Sequence, residues 1–202
     1  VILNNAAAAD ATAAGVIADA TAAQYLAIGV TGVDTAPETS LLGSVIDAKA
    51  SADVDTVAEV QALAAAVQAV MDANASKAQL ELLGITGVSD DNLKAVQAKL
   101  LASADADLDT QGKLQAAVTA AVNAFNAASA VIANYADANG GTVPTAADYT
   151  ALAITGLGGS GQPTVGMINE ALATAEVVRG EADSRAEVQA IVDAYQVILN
   201  NA

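Results

Sequence analysis

Apolar residues recur at intervals of three and four along most of this chain, a spacing that places them on one face of a helix. The pattern is longest in three stretches. Their apolar positions are Val60, Leu63, Val67, Val70 and Met71; Leu114, Val118, Val122, Phe125, Ile132 and Tyr135; and Val188, Ile191, Val192, Tyr195, Ile198 and Leu199. The pattern predicts an all-α protein.

Two sets of similar segments show that the chain repeats itself. Residues 21–33, 76–88 and 145–157 align with one another, and so do residues 55–62, 109–116 and 183–190. Each segment of the first set opens on Ser or Thr with Gln or Asp three positions later, a capping box, and reaches a glycine-rich stretch that can end a helix. The pairs are Thr21 with Gln24, Ser76 with Gln79, and Thr145 with Asp148.

Each segment of the second set predicts the start of a further helix, capped by Thr56, Thr110 or Ser184. Glu59 and Glu187 complete two of these capping boxes, whereas Lys113 breaks the one that begins at Thr110. A short amphipathic helix is predicted between the two sets. Its apolar positions are Leu42, Val45 and Ile46; Leu93, Val96 and Leu100; and Ile168, Ala171 and Leu172.

The loops before these middle helices differ among the repeats. Residues 158–163 are predicted to be a flexible linker, and residues 34–38 are expected to play the same part in the first repeat. The second repeat has only residues 89–92 there, which we interpret as a helix cap and not as a cluster of ligands.

These elements predict a tandem array of three-helix bundles joined by continuous or nearly continuous helices. The expected boundaries are 1–20 for the end of a preceding helix plus a linker, then repeats at 21–75, 76–144 and 145–202. The third helix of the middle repeat is predicted to run from Thr110 to about Asn139 and end at residues 139–141. Such a helix, about 45 Å long, would act as a strut, and a break near residues 127–130 would contradict that interpretation.

The two ends of the chain share one hexapeptide. Residues 1–6 and 197–202 both read Val-Ile-Leu-Asn-Asn-Ala, and residues 131–134 are a weaker copy. Either every repeat ends its third helix in this way, or the chain is one unit of a longer array with a period of 196 residues. Both interpretations make residues 1 to about 14 the tail of a preceding third helix.

Composition favours thin, closely packed helices. Of the 202 residues, 53 are alanine, the best helix former, which buries little surface. The four tyrosines, Tyr25, Tyr135, Tyr149 and Tyr195, are expected to pack at helical core positions with their hydroxyls at the edge. A deep catalytic cleft is not expected from such a chain.

Charge and residue types exclude several classes of function. The chain has no His and no Cys, which excludes a Cys nucleophile, a Ser–His–Asp triad, the usual zinc ligands and disulfides. The net charge is −16 with seven basic residues, which argues against binding nucleic acid. We expect a non-enzymatic protein without cofactors.

One acidic segment resembles the start of a calcium loop. Asp105, Asp107 and Asp109 place oxygen ligands at alternate positions. Gly112 falls at the eighth position of that loop, where a calcium loop has its glycine at the sixth, and Ala116 cannot ligate at the twelfth. Helix capping accounts for the aspartates without a metal, so we expect no resident metal and keep calcium as the alternative.

The uncharged run at residues 114–136 is long enough to cross a bilayer. Its Gln and Asn residues, and its apolar groups on one face, favour a bundle helix, so no membrane insertion is expected. The start Val1-Ile-Leu has no basic segment of a secretory signal, which predicts a fragment or a processed product.

The stretch 82–93, Leu-Leu-Gly-Ile-Thr-Gly-Val-Ser-Asp-Asp-Asn-Leu, and the Asp-Leu-Asp-Thr110 that leads into the third helix resemble the GA-type, albumin-binding-module-like three-helix bundle. They also resemble alanine-rich three-helix repeats of very large secreted or surface-attached bacterial proteins. The resemblance implies an extracellular, non-enzymatic protein of stacked modules. It implies a binding surface on the second helix, here at residues 41–50, 92–102 and 164–175, which differ from one another.

The sequence thus predicts a structural repeat protein of a bacterial surface layer, adhesin or filament, which acts as a spacer and associates with itself into a polymer. The alternative is a module that binds a host or environmental protein. Self-association and capture of a ligand are the two partner hypotheses.

Overall fold

The computed structural model describes residues 19–138 and 141–201, and every regular element in those ranges is helical, as predicted. Short 3-10 turns at Ser51–Asp53, Asp105–Asp107 and Arg179–Glu181 precede the last helix of each predicted repeat. The helices are α1 Ala22–Ala27, α2 Ala36–Asp47, α3 Val57–Met71, α4 Lys77–Leu82, α5 Leu93–Leu101, α6 Gln111–Ala138, α7 Ala146–Ala151, α8 Val165–Leu172 and α9 Arg185–Asn200.

The helices begin where the capping patterns predict. In α3 the Glu59 carboxylate accepts hydrogen bonds from the Thr56 backbone N–H and hydroxyl at 3.0 and 2.8 Å, and Thr56 Oγ1 accepts the Glu59 N–H at 3.3 Å. Complete boxes also start α1, α4 and α9. At α6 the box is broken as expected, because the Lys113 ammonium turns to the Asp109 carboxylate at 2.7 Å.

The linker expected at residues 34–38 is wrong for its second half. Helix α2 begins at Ala36, and Thr35 and Glu38 form a capping box. Proline lies in the first turn of this helix, where its missing N–H has no intrahelical partner to lose. The spacing of Thr35 and Glu38 is a helix-start pattern, but the proline between them favoured the prediction of a linker.

The first helix of each repeat ends in the same backbone conformation. Gly29 and Gly84 have φ of 88° and 79°, as the glycine-rich segments predict. The third repeat has Ala153 at this position, with φ of 53°. The next residue donates its N–H to a carbonyl five residues back, as in Ile154 to Tyr149 at 3.0 Å, which is the Schellman arrangement.

Helix α6 is continuous over 28 residues, about 40 Å, with no break at residues 127–130. Its predicted extent from Thr110 is therefore confirmed as far as Ala138. The expected stop at Asn139–Gly140 lies outside the described residues, as does the helix tail expected at residues 1 to about 14.

The described residues form two compact units. The first comprises the described part of Val1–Val88 together with Gln97–Thr119. Its largest fully buried side chains lie in α1 to α4, in the loop after α4, directly before α6 and in the first turn of α6. They are Tyr25, Leu41, Leu42, Ile46, Leu63, Leu80, Leu83, Ile85, Leu108 and Leu114.

The second unit comprises Ser89–Val96 and the described part of Ala120–Ala202. Its core gathers residues from the first turn of α5, the later part of α6, and α7 to α9: Ala95, Phe125, Ala128, Ile132, Ala136, Tyr149, Leu152, Ile168, Leu172, Ala182, Val188 and Val192. Ile198, on the predicted apolar face of α9, is exposed. The core packs against the first turns of α9, and the helix continues past it.

Candidate functional site

One pair of hydrogen bonds occurs in all three repeats. A glutamine in the second turn of the last helix bonds both backbone groups of a threonine in the loop after the first helix. Gln61 accepts the Thr31 N–H at 2.9 Å and donates to the Thr31 carbonyl at 3.1 Å. Gln115 bonds Thr86 at 2.9 and 3.2 Å, and Gln189 bonds Thr155 at 3.0 and 3.0 Å. We call these three pairs the Gln–Thr clamps.

A second amide ties the middle helix to the start of the first helix. Gln97 donates to the carbonyl of Ala75 at 3.1 Å, and Asn169 donates to the carbonyl of Pro144 at 2.8 Å. Each acceptor directly precedes the N-cap residue of the first helix. The first repeat has Gly43 at this position, and a Cβ there would clash with the Asp19 carboxylate. The Asp19 carboxylate therefore takes the space of the missing side chain.

The first residue of the last helix marks a contact between neighbouring repeats. In the first unit, the Gln111 N–H donates to Ser44 Oγ of the preceding repeat at 3.1 Å. In the second unit, the Arg185 N–H donates to Asp91 Oδ1 at 2.9 Å. Both bonds satisfy a helix N-terminal N–H that has no partner within its own helix. Sequence reasoning missed them because nothing in a local pattern pairs residues 67 or 94 positions apart.

The Tyr149 hydroxyl belongs to a buried network of hydrogen bonds. Its hydroxyl donates to Asn169 Oδ1 at 2.6 Å, and burial raises the pKa of this hydroxyl above its usual range. The expectation that tyrosine hydroxyls lie at the edge is therefore wrong for Tyr149. The Asn169 amide that reaches Pro144 gives this hydroxyl an acceptor inside the core, which makes its burial tolerable.

The three aspartates of the alternative calcium interpretation have other contacts. Asp105 and Asp107 are the first and last residues of a 3-10 turn. Asp109 forms an ion pair with the Lys113 ammonium, which also donates a hydrogen bond to the Ala106 carbonyl at 2.9 Å. Within residues 19–138 and 141–201, no group of three or more acidic side chains is arranged to hold a metal ion.

A shallow groove of about 350 Å³ lies in the second unit. It is lined by Val177, Glu181, Glu187, Ala190, Ile191 and Ala194. Glu187 caps α9, and hydrogen bonds from Ser184 hold the pKa of its carboxyl below the usual range. A carboxylate held ionised in this way is a poor proton donor near neutral pH.

Helix α6 is the one described helix long and apolar enough to cross a membrane, over Gln111–Ala136. About a third of its most apolar stretch is buried inside the protein. The core helix of a water-soluble protein meets the same test, so this property alone assigns no membrane location.

Comparison of the chain with family models, with curated proteins and with solved structures gives no match. The contacts within the chain are therefore the basis for a functional proposal.

Proposed function

We propose that this chain is a non-enzymatic structural repeat protein, a tandem array of GA-like three-helix bundles that acts as a spacer and self-associating scaffold on a bacterial cell surface or in an extracellular filament. The repeats are those predicted at residues 21–75, 76–144 and 145–202. No metal or cofactor is part of this proposal.

The observation that carries the proposal is the threefold recurrence of the Gln–Thr clamp. Each clamp joins two segments that the sequence repeats, with the same atoms and nearly the same distances in Gln61, Gln115 and Gln189. A module that recurs down to its side-chain bonds is typical of repeat arrays, in which each module contacts its neighbours.

The use of the polar side chains also favours a mechanical role. The glutamates with lowered pKa, Glu38, Glu59 and Glu187, all cap helices. Tyr149 and Asn169 form a hydrogen bond with each other in the core. These groups stabilise helix starts and a contact between α7 and α8, which supports a structural role.

The self-association part of the proposal is supported by exposed apolar side chains. Several large ones lie open to solvent: Leu26, Ile28, Val57, Leu101, Val178, Val197 and Ile198. Apolar side chains that gather into a patch mark contact sites for other macromolecules.

Sedimentation velocity over a wide concentration range tests the proposal, with negative-stain imaging of the most concentrated sample. We expect species larger than the monomer that grow with concentration. A chain that stays monomeric and retains one serum or cell-surface protein on a column would contradict the scaffold and support the alternative, a ligand-capturing module.

A further inference from the structure

The first repeat exposes an apolar position that the two later repeats bury. Seven residues after the N-cap of the first helix stand Ile28, Leu83 and Leu152 in the three repeats. Leu83 and Leu152 are both 0% exposed, whereas Ile28 is 42% exposed. The residue type is alike in all three, so the difference lies in what covers the position.

A preceding helix covers this region in both later repeats. In the second unit, Leu152 belongs to one core with Ile132 and Ala136 of α6, the last helix of the preceding repeat. In the first unit, α3 packs against α4, the helix that leads to Leu83. Ile28 is at the equivalent position of the first repeat, where a preceding helix would cover it.

A second position identifies the same surface. Gln111 and Arg185, the first residues of α6 and α9, donate their N–H groups to Ser44 and Asp91 of the preceding repeat. The equivalent residue in the first repeat is Val57, which is apolar and 48% exposed. In the middle repeat, the Gln111 side chain also donates to the Leu83 carbonyl at 2.8 Å, which makes these two positions neighbours.

The other end of the chain offers a matching surface. Val197 and Ile198, near the end of α9, are 60% and 62% exposed. The related segment in α6, Val131-Ile-Ala-Asn134, has Ile132 fully buried because the following repeat packs on it. The end of α9 is thus a helix end of the kind that a following repeat covers.

We propose that the head surface, Ile28 and Val57, binds the tail surface, Val197 and Ile198, of a second copy of this chain. The contact continues between chains the packing that already joins successive repeats within each unit. Because head and tail are different surfaces, association does not stop at a pair but extends head to tail. This inference rests on the proposed scaffold function and names its partner and its interface.

Residues 1–6 are the competing occupant, since they have the same sequence as residues 197–202. If they covered the head surface of their own chain, the intact chain would not use that surface for association. The two occupants therefore predict opposite behaviour for the chain with and without its first residues.

The test uses the full chain with Ile28→Asp as the head variant and Ile198→Asp as the tail variant. Both positions are exposed, so the fold should survive, which circular dichroism checks. A charge buried in an apolar contact is costly, and we expect each variant alone to associate at least about tenfold more weakly than the unchanged chain. The matched control is Leu101→Asp, at an exposed leucine outside both surfaces, which should associate normally.

Mixing the two variants gives the decisive result. The head variant retains a working tail and the tail variant a working head, so an equimolar mixture should form a one-to-one dimer that grows no further. Sedimentation velocity would show this dimer and no longer species.

Several results would overturn the interface. They are full association in both variants, equal weakening by Leu101→Asp, or no dimer in the mixture. Association that appears only when residues 1–6 are removed would assign the head surface to the chain's own first residues. Association of the unchanged chain that neither variant disturbs leaves the scaffold function standing and removes only this interface, whereas an unchanged chain that never associates removes both.

Discussion

At the scale of single residues, the Gln–Thr clamps account for the glutamine and the threonine that recur at equivalent positions in all three repeats. A glutamine amide carries both a donor and an acceptor, so one side chain can satisfy the N–H and the carbonyl of one loop residue. Glutamate could only accept, and lysine could only donate. The clamp fixes the loop after the first helix against the last helix, at Thr31, Thr86 and Thr155 alike.

Replacing one clamp glutamine should therefore destabilise the chain measurably. Gln61→Ala removes two hydrogen bonds at a partly exposed site, and we expect it to lower the free energy of unfolding by about 1 kcal/mol in urea titrations. The matched control is Asn126→Ala, because Asn126 also carries an amide and is exposed on α6, away from the clamp of the first repeat. An equal loss in the control would mean that the clamp contributes nothing specific.

The glutamate capping boxes make stability depend on acid. Burial acts to raise the pKa of the Glu38 carboxyl, but hydrogen bonds from Thr35 and Asp34 outweigh it and lower that pKa; hydrogen bonds chiefly from Thr56 and Ser184 lower those of Glu59 and Glu187. A carboxyl with a lowered pKa in the folded state stabilises the fold above its ordinary value of 4.5. This stabilisation is lost as the pH falls below 4.5 through the lowered values.

The chain itself supplies the neutral comparison, since Gln24 and Gln79 form the same boxes without charge. The variant Glu38→Gln, Glu59→Gln, Glu187→Gln should therefore lose less stability than the unchanged chain between about pH 5 and about pH 3. Thermal unfolding followed by circular dichroism measures the difference. An equal loss of stability with falling pH in the two proteins would show that these capping boxes do not cause the acid dependence.

At the scale of the helices, Ala153 is a position where local preference and fold disagree. It occupies the left-handed conformation that Gly29 and Gly84 adopt in the other repeats. For an L-residue with a Cβ this conformation costs roughly 1 kcal/mol or more, whereas glycine adopts it freely. The Arg185 guanidinium donates to the Ala153 carbonyl at 3.1 Å, a backbone contact that glycine would keep.

We therefore expect Ala153→Gly to stabilise the chain, by roughly 0.5 to 1 kcal/mol. The control is Ala127→Gly, at an exposed position in the middle of α6, which should destabilise by about 1 kcal/mol because glycine is a poor helix former. Urea unfolding of the two variants should thus give shifts of opposite sign. Destabilisation by both would show that the turn at Ala153 is not strained.

Local signals predicted most of the helices. Capping pairs such as Thr56 with Glu59, and the apolar period of α6, depend on residues three or four apart, which a sequence displays directly. The clamps, the Tyr149–Asn169 bond and the Gln111–Ser44 bond join residues 20 to 67 positions apart, so no local pattern contains them. The exposure of Ile198 could not be predicted for the same reason, because its apolar spacing says nothing about whether another segment covers it.

At the scale of the whole molecule, the charge of −16 opposes the association that the exposed apolar side chains favour. Two copies repel each other over roughly the Debye length, which falls from about 30 Å at 0.01 M salt to about 8 Å at 0.15 M. The side chains of the proposed contact, Ile28, Val57, Val197 and Ile198, are uncharged, so this screening should not weaken it. Salt should therefore remove the repulsion and leave the attraction.

We expect the association measured by sedimentation to strengthen as sodium chloride rises from about 0.01 M to about 0.3 M, most steeply in the lower part of that range. The head variant Ile28→Asp tests the cause, since it adds charge at the contact and should remain weakly associated at every salt concentration. Weaker association at higher salt would mean that opposite charges hold the copies together. With 23 acidic and seven basic residues, the chain has few cations to form such contacts, which is why screening is expected to favour assembly.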